Sequence, residues 1–243
     1  MKKVVVSLIF WSLSVGAMAA GGGLPTMEAN INLSNKVSLQ RGARLFVNYC
    51  LSCHSANYMR YNRMAEDLEL SEDAVKENLM FAADKVGDTM GVAIDPTDAE
   101  TWFGVTPPDL SVIARAKGAD WLYSFLNSYY RDDSRPTGVN NLYFTDTAMP
   151  HVLWELQGLA ELDTTEAHDD DHGHGATLTV AEGGKLTQTE YQNATRDLVA
   201  FLVYMGEPAK LVRYKIGFWV IVFLFVLLVA TYLMKREYWK DVH

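Results

Sequence analysis

The sequence predicts a mainly α protein: one helical domain with long loops, followed by a single C-terminal transmembrane helix. Three observations carry that prediction. Apolar residues recur at three- and four-residue spacing around 38–50 and again over 188–205. The stretches 87–108 and 131–150 are rich in Gly, Asp, Thr and Pro, and no segment reads as part of a sheet-forming domain. Near the end, Ile216–Met234 runs for 19 residues without a charge, close to the ~20 that a bilayer core requires.

Residues 1–19 begin with Lys2 and Lys3, continue through an apolar Val4–Val15 run and end in Ala17-Met18-Ala19, the layout of a secretory signal peptide. Residues 20–35 read as an extended lead-in. The first helix begins near Ser38 and places Leu39, Ala43, Phe46, Val47 and Cys50 on one face, with Arg41 and Arg44 on another. A second helical pattern covers 64–79, with Ser71-Glu72-Asp73 as a start signal within it. The loop at 87–108 closes on Thr106-Pro107-Pro108-Asp109. Helices over Leu110–Ala116 and Asp120–Tyr130 follow, parted by Gly118. The loop at 131–150 contains Arg135-Pro136-Thr137-Gly138 and ends at Met149-Pro150. A final helix covers Gln188–Met205, stopped by Pro208 before the membrane segment 210–243.

Segment 162–186 differs in kind, because it carries Glu166-Ala167-His168-Asp169-Asp170-Asp171-His172-Gly173-His174. His and Asp at this density suit Zn²⁺, Cu²⁺ or Ni²⁺, but the Gly-rich surroundings supply no rigid frame, so it reads as a solvated insertion.

The chain has 243 residues and a net charge of −9. That value understates the acidity of 20–209, which holds 28 Asp and Glu against 13 Lys and Arg. Such a balance argues against nucleic-acid binding and favours encounter with cationic partners. Basic residues flank the apolar run evenly, so the signal peptide sets the orientation. The domain 20–209 is exported to the periplasm, and the last residues stay in the cytoplasm.

The chemistry is concentrated in Cys50-Leu51-Ser52-Cys53-His54. Two thiols spaced C-x-x-C can each add across one haem vinyl group, and the next residue, His54, is carried beneath the ring to ligate iron. A zinc site would need further ligands at matching spacing, and the chain has no other cysteine. No disulfide remains to be made once both thiols hold haem c. Spacing alone leaves the second axial ligand open among Met80, Met90, Met149 and His151; Met149 is set apart by the stiff Pro150 that follows.

Beyond the haem motif, the chain carries Arg41-Gly42, Tyr58, Tyr61, Pro107-Pro108-Asp109-Leu110-Ser111, Arg115-Ala116, Tyr143-Phe144, Ala148-Met149-Pro150 and Glu207-Pro208 ahead of one membrane anchor. From about Arg41 onward it resembles the cytochrome c1 family, the haem subunit of ubiquinol–cytochrome c reductase, in a proteobacterial form. The resemblance implies a cytochrome c-like helical haem domain and one covalent haem c. It implies Cys50 and Cys53 as thioether anchors, and His54 and Met149 as axial iron ligands. The carbonyl of Pro107 or Pro108 would face the His54 ring, and a haem propionate would pair with Lys117 or Arg115. Where Arg is more usual, Lys117 keeps the charge but loses bidentate geometry.

The implied partners are cytochrome b, a Rieske iron–sulfur protein, a soluble cytochrome c and membrane lipid. The implied work is single-electron transfer at the bacterial inner membrane, with no catalytic side chain. Two other classes fit the haem motif alone. One is an exported haem protein that binds or activates a small molecule, such as a peroxidase or gas sensor. The other is a tethered electron donor to a terminal oxidase.

Overall fold

The computed structural model describes residues 24–92, 94–163 and 177–241. The signal-peptide segment 1–19 and the His/Asp-rich core of the insertion lie outside these residues.

Two helices frame the domain. Helix α1 spans Lys36–Leu45 and starts where the Asn35 side chain accepts the Ser38 N–H. Its continuation, Phe46–Cys50, widens into a π turn that ends at the first cysteine. Helix α8, Gln188–Gly206, is opened by a capping box between Thr187 and Glu190. The two cross at Gly42, where a Cβ would collide with the Asp197 carbonyl and stand 2.7 Å from Phe201 Cβ. Phe46 and Phe201 meet beside that crossing with ring centroids 5.5 Å apart. Buried Asp197 accepts the Ser38 hydroxyl and the Arg41 guanidinium, fixing the register of the pair.

Between them run short elements: β1 (Ala56–Arg60), α2 (Tyr61–Asp67), α3 (Glu72–Asn78), β2 (Thr89–Met90) and α4 (Pro96–Phe103). Then come α5 (Ile113–Lys117), α6 (Ala119–Leu126), β3 (Tyr129–Arg131), β4 (Val139–Asn141), α7 (Trp154–Gln157), β5 (Gly158–Asp163) and β6 (Thr177–Gly183). Helices α5 and α6 pack on α8. The strands form three separate antiparallel pairs, β1 with β2, β3 with β4 and β5 with β6. The core gathers Leu39, Phe46, Tyr61, Met64, Met90, Tyr129, Tyr191, Leu198 and Phe201.

The structure departs from the sequence reading in four places. The 64–79 pattern is two helices, because Glu69 adopts a left-handed φ of 59° and Ser71 starts a new helix by capping Ala74. The 87–108 loop contains α4, which Asp95 caps, Pro96 begins and Gly104 ends at φ 74°. The helix predicted to reach Tyr130 stops at Leu126, where the Asn127 amide turns back onto the Tyr123 carbonyl at 2.7 Å. Tyr129 and Tyr130 instead pair in strand β3 with Asn141 and Asn140. Finally, the 162–186 stretch opens on the last two residues of β5 and takes in the whole of β6, ending three residues beyond it.

Helix α9, Lys210–Tyr238, is the one helix among the described residues long and apolar enough to cross a membrane, and its apolar window is wholly unburied. Arg213 pairs with Glu207 at 2.5 Å just before the apolar run begins.

Candidate haem-attachment site

The π turn delivers Cys50 into a tight reversal. Cys53 N–H and His54 N–H both donate to the Cys50 carbonyl, at 3.1 and 2.8 Å. Both thiols are free, Cys50 buried and Cys53 half-buried. Burial pushes the Cys50 thiol up to about 12, so it is held as the thiol.

His54 then meets the Pro-Pro-Asp-Leu-Ser segment. Its Nδ1 lies 2.7 Å from the Pro108 carbonyl oxygen. A carbonyl can only accept, so Nδ1 carries the proton and the Nε2 lone pair is left for another partner. Burial lowers the His54 pKa, while Pro108 and Asp109 oppose that shift, and the net direction favours the neutral imidazole.

Asp109 anchors the carbonyl in place. Its Oδ2 accepts the Ser55 hydroxyl at 2.7 Å and the Asn57 N–H at 2.8 Å, while Oδ1 accepts the Ser111 N–H at 2.8 Å. Leu110 N–H donates to the Ser55 carbonyl at 2.8 Å, and the Ser111 hydroxyl accepts Tyr58 N–H at 3.1 Å. Burial raises the Asp109 pKa, yet the bonds from Asn57, Ser111 and Ser55 more than offset it and leave the carboxylate below its usual range. The sequence reading gives Ser55, Asn57 and Ser111 no role in holding the site. Their signal was present in Asp109-Leu110-Ser111, a side-chain-to-backbone turn of the kind short Asp residues favour.

Among the sulfur candidates, Met90 is sealed in the core on β2, and Met80 and Met149 are partly buried. Met149 sits between Thr147 and Pro150, with its N–H on the Thr147 hydroxyl at 3.3 Å. His151 is buried with its ring flat on Tyr129 at 4.8 Å, and its Nε2 has no hydrogen-bond partner. Burial brings the His151 pKa down to about 4, against opposing bonds to Gln157 and Gly158, so this ring is neutral.

The two basic candidates point in different directions. The Lys117 ammonium stands 5.0 Å over the Trp121 ring. The Arg115 stem packs beside Gly206, and its charge helps to hold Glu207 ionised, an effect smaller than that of Arg213. A groove of about 990 Å³ between α1 and α8 contains none of these residues, so the haem motif and the groove are separate features.

The donor set fits a covalently held haem. Two unpaired thiols at the right spacing stand next to an imidazole whose tautomer is fixed with Nε2 open. Among the described residues no group of three or more His, Cys, Asp and Glu is placed to hold a metal ion by itself.

Comparison with known proteins agrees with this chemistry. The profile of the Cytochrome C1 family matches residues 27–177 and 178–242. A cytochrome c1 from Allochromatium vinosum is 45% identical over the full length of both chains. A Nitrosomonas europaea protein named ammonia monooxygenase gamma subunit is 47% identical over 93% of each chain. The mitochondrial cytochrome c1 haem protein of Schizosaccharomyces pombe is 28% identical over 84% of this chain and 67% of its own. The chain therefore belongs to the Cytochrome C1 family, whose members bind one covalent haem c and form the haem subunit of the bc1 complex with cytochrome b.

Proposed function

We propose that this chain passes single electrons from a Rieske iron–sulfur protein to a soluble cytochrome c. In this reading residues 20–209 lie in the periplasm, α9 crosses the bacterial inner membrane once, and the last residues are cytoplasmic. The observation that carries it is the His54–Pro108 bond, which presents a neutral imidazole beside two free thiols on a chain whose described residues include one helix long and apolar enough to cross a membrane.

Cys50 and Cys53 would hold haem through thioether bonds, and His54 and Met149 would supply the ligands to its iron. The Pro108 carbonyl fixes the His54 tautomer and raises its basicity. Lys117 or Arg115 would supply positive charge for a propionate. Bound haem supplies a one-electron couple whose potential the protein sets by ligand, burial and hydrogen bonding. No side chain needs to exchange a proton with substrate. The acidic surface of 20–209 steers a basic soluble cytochrome toward the domain.

The test is Met149→Leu. The ferric wild type is expected to show a methionine-to-iron charge-transfer band, and its reduced form to bind CO slowly. Met149→Leu is expected to lose the band, lower the potential and bind CO readily. Rapid CO binding to the reduced wild type would point instead to a haem protein that takes small molecules. An unchanged band in the variant would remove Met149 from the ligand set.

A further inference from the structure

Met149 is held at both of its backbone polar atoms. Its N–H donates to the Thr147 hydroxyl, and its carbonyl accepts the Tyr129 hydroxyl, each at 3.3 Å. Thr147 and Tyr129 are themselves buried, at 3% and 2% exposure. Burial drives the Tyr129 phenol pKa up, and the Thr147 side chain works against that shift. Thr147 on the N–H side and Tyr129 on the carbonyl side thus hold one residue from both ends of its backbone.

The Tyr129 ring cannot easily move. Phe125 meets it edge-on at 5.3 Å and 66°, and His151 stacks on it at 4.8 Å and 8°. Trp121 stacks in turn on Phe125 at 5.2 Å, with the Lys117 ammonium over Trp121. A column of rings at four-residue spacing therefore leads from α6 into the Met149 loop, although the backbone has left the helix by Tyr129. The Tyr129 end of the column does both jobs: its hydroxyl holds the residue before Pro150, and its ring stacks on the residue after it.

A neutral thioether leaves a metal when its backbone can swing away. Here such a swing would break two hydrogen bonds and part a ring stack, next to a proline whose φ is fixed. We propose that Tyr129, together with Thr147, is the positioning residue that holds Met149 in place as the sixth ligand. This rests on Met149 being that ligand. Tyr129 does not touch iron; it acts through the Met149 backbone.

The test uses the full-length, haem-loaded protein in detergent, titrated with imidazole in the ferric state while the methionine-to-iron band is followed. Tyr129→Phe keeps the ring and its stacks and removes only the hydroxyl. Imidazole is expected to displace the band at about fivefold lower concentration than in wild type, as the loss of one hydrogen bond implies. The helical melting temperature, followed by circular dichroism, is expected to stay put. Thr147→Val is expected to shift the titration in the same direction, and Thr147→Ser to restore it.

Wild-type titrations for both Tyr129→Phe and Thr147→Val, with the band abolished in Met149→Leu, would overturn the inference and leave the ligand assignment standing. A lowered melting temperature that accounts for the whole shift would assign Tyr129 to core packing and overturn it as well. Absence of the band from wild type would overturn the ligand assignment, and this inference with it.

Discussion

At the scale of single residues, the site depends on a carbonyl that no side-chain substitution can delete. Pro108 offers its backbone oxygen to His54, so the sensitive position is the carboxylate that holds that backbone, Asp109. Asp109→Ala strands the donors of Ser55, Asn57 and Ser111. It is expected to destabilise the domain by about 2 kcal/mol, checked by denaturant unfolding followed at the haem absorbance. Asp109→Asn retains acceptor oxygen and is expected to fall between Ala and wild type; equal stability of all three would contradict the anchoring role. Much of this scale was legible in the chain. Spacing names Cys50, Cys53 and His54, and the resemblance implies a carbonyl of Pro107 or Pro108 facing His54; the structure has Pro108 there. Tyr129 and Thr147 were not legible, because their role depends on a strand and a loop meeting in space, and periodicity reports only neighbours along one element.

At the scale of elements, the crossing of α1 and α8 positions everything else, since the π turn that ends α1 leads straight into the haem motif. Gly42 permits that crossing. Gly42→Ala would gain ~1 kcal/mol of helix propensity. It would lose roughly 3 kcal/mol or more to the collision with Asp197 and Phe201. The net expectation is a clear fall in thermal midpoint, measured by circular dichroism on the haem-loaded protein; an unchanged or raised midpoint would mean the helices do not approach so closely. Both framing helices could be read from apolar spacing, and the membrane helix from its length. The short elements could not. Helix α4 is compressed between an Asp-Pro start and a Gly stop, a pattern that also describes a loop. The stacking of Trp121, Phe125 and Tyr129 continues a helical rhythm past the point where Asn127 ends the helix. That persistence made β3 look like the end of α6.

At the scale of the whole molecule, three features define what the protein can do: a haem-binding turn, an acidic domain around it and one apolar helix that ties the domain to a bilayer. Under the proposed function, tethering keeps the haem within reach of a membrane-bound donor, and the acidic composition favours a mobile cationic acceptor. The family assignment makes the chain a haem subunit of the bc1 complex with cytochrome b, and the proposed direction of electron flow follows from that setting. The relative named as an ammonia monooxygenase gamma subunit aligns with nearly the whole chain at 47% identity. The direct measurement is rapid mixing of quinol with the complex purified in mild detergent, in the presence of oxidised soluble cytochrome c. Absorbance then follows the covalent haem of this chain and the soluble acceptor separately. The expected result is that cytochrome b and a Rieske protein copurify, and that this haem is reduced before the soluble cytochrome. Reduction of the soluble cytochrome while this haem stays oxidised would contradict the account.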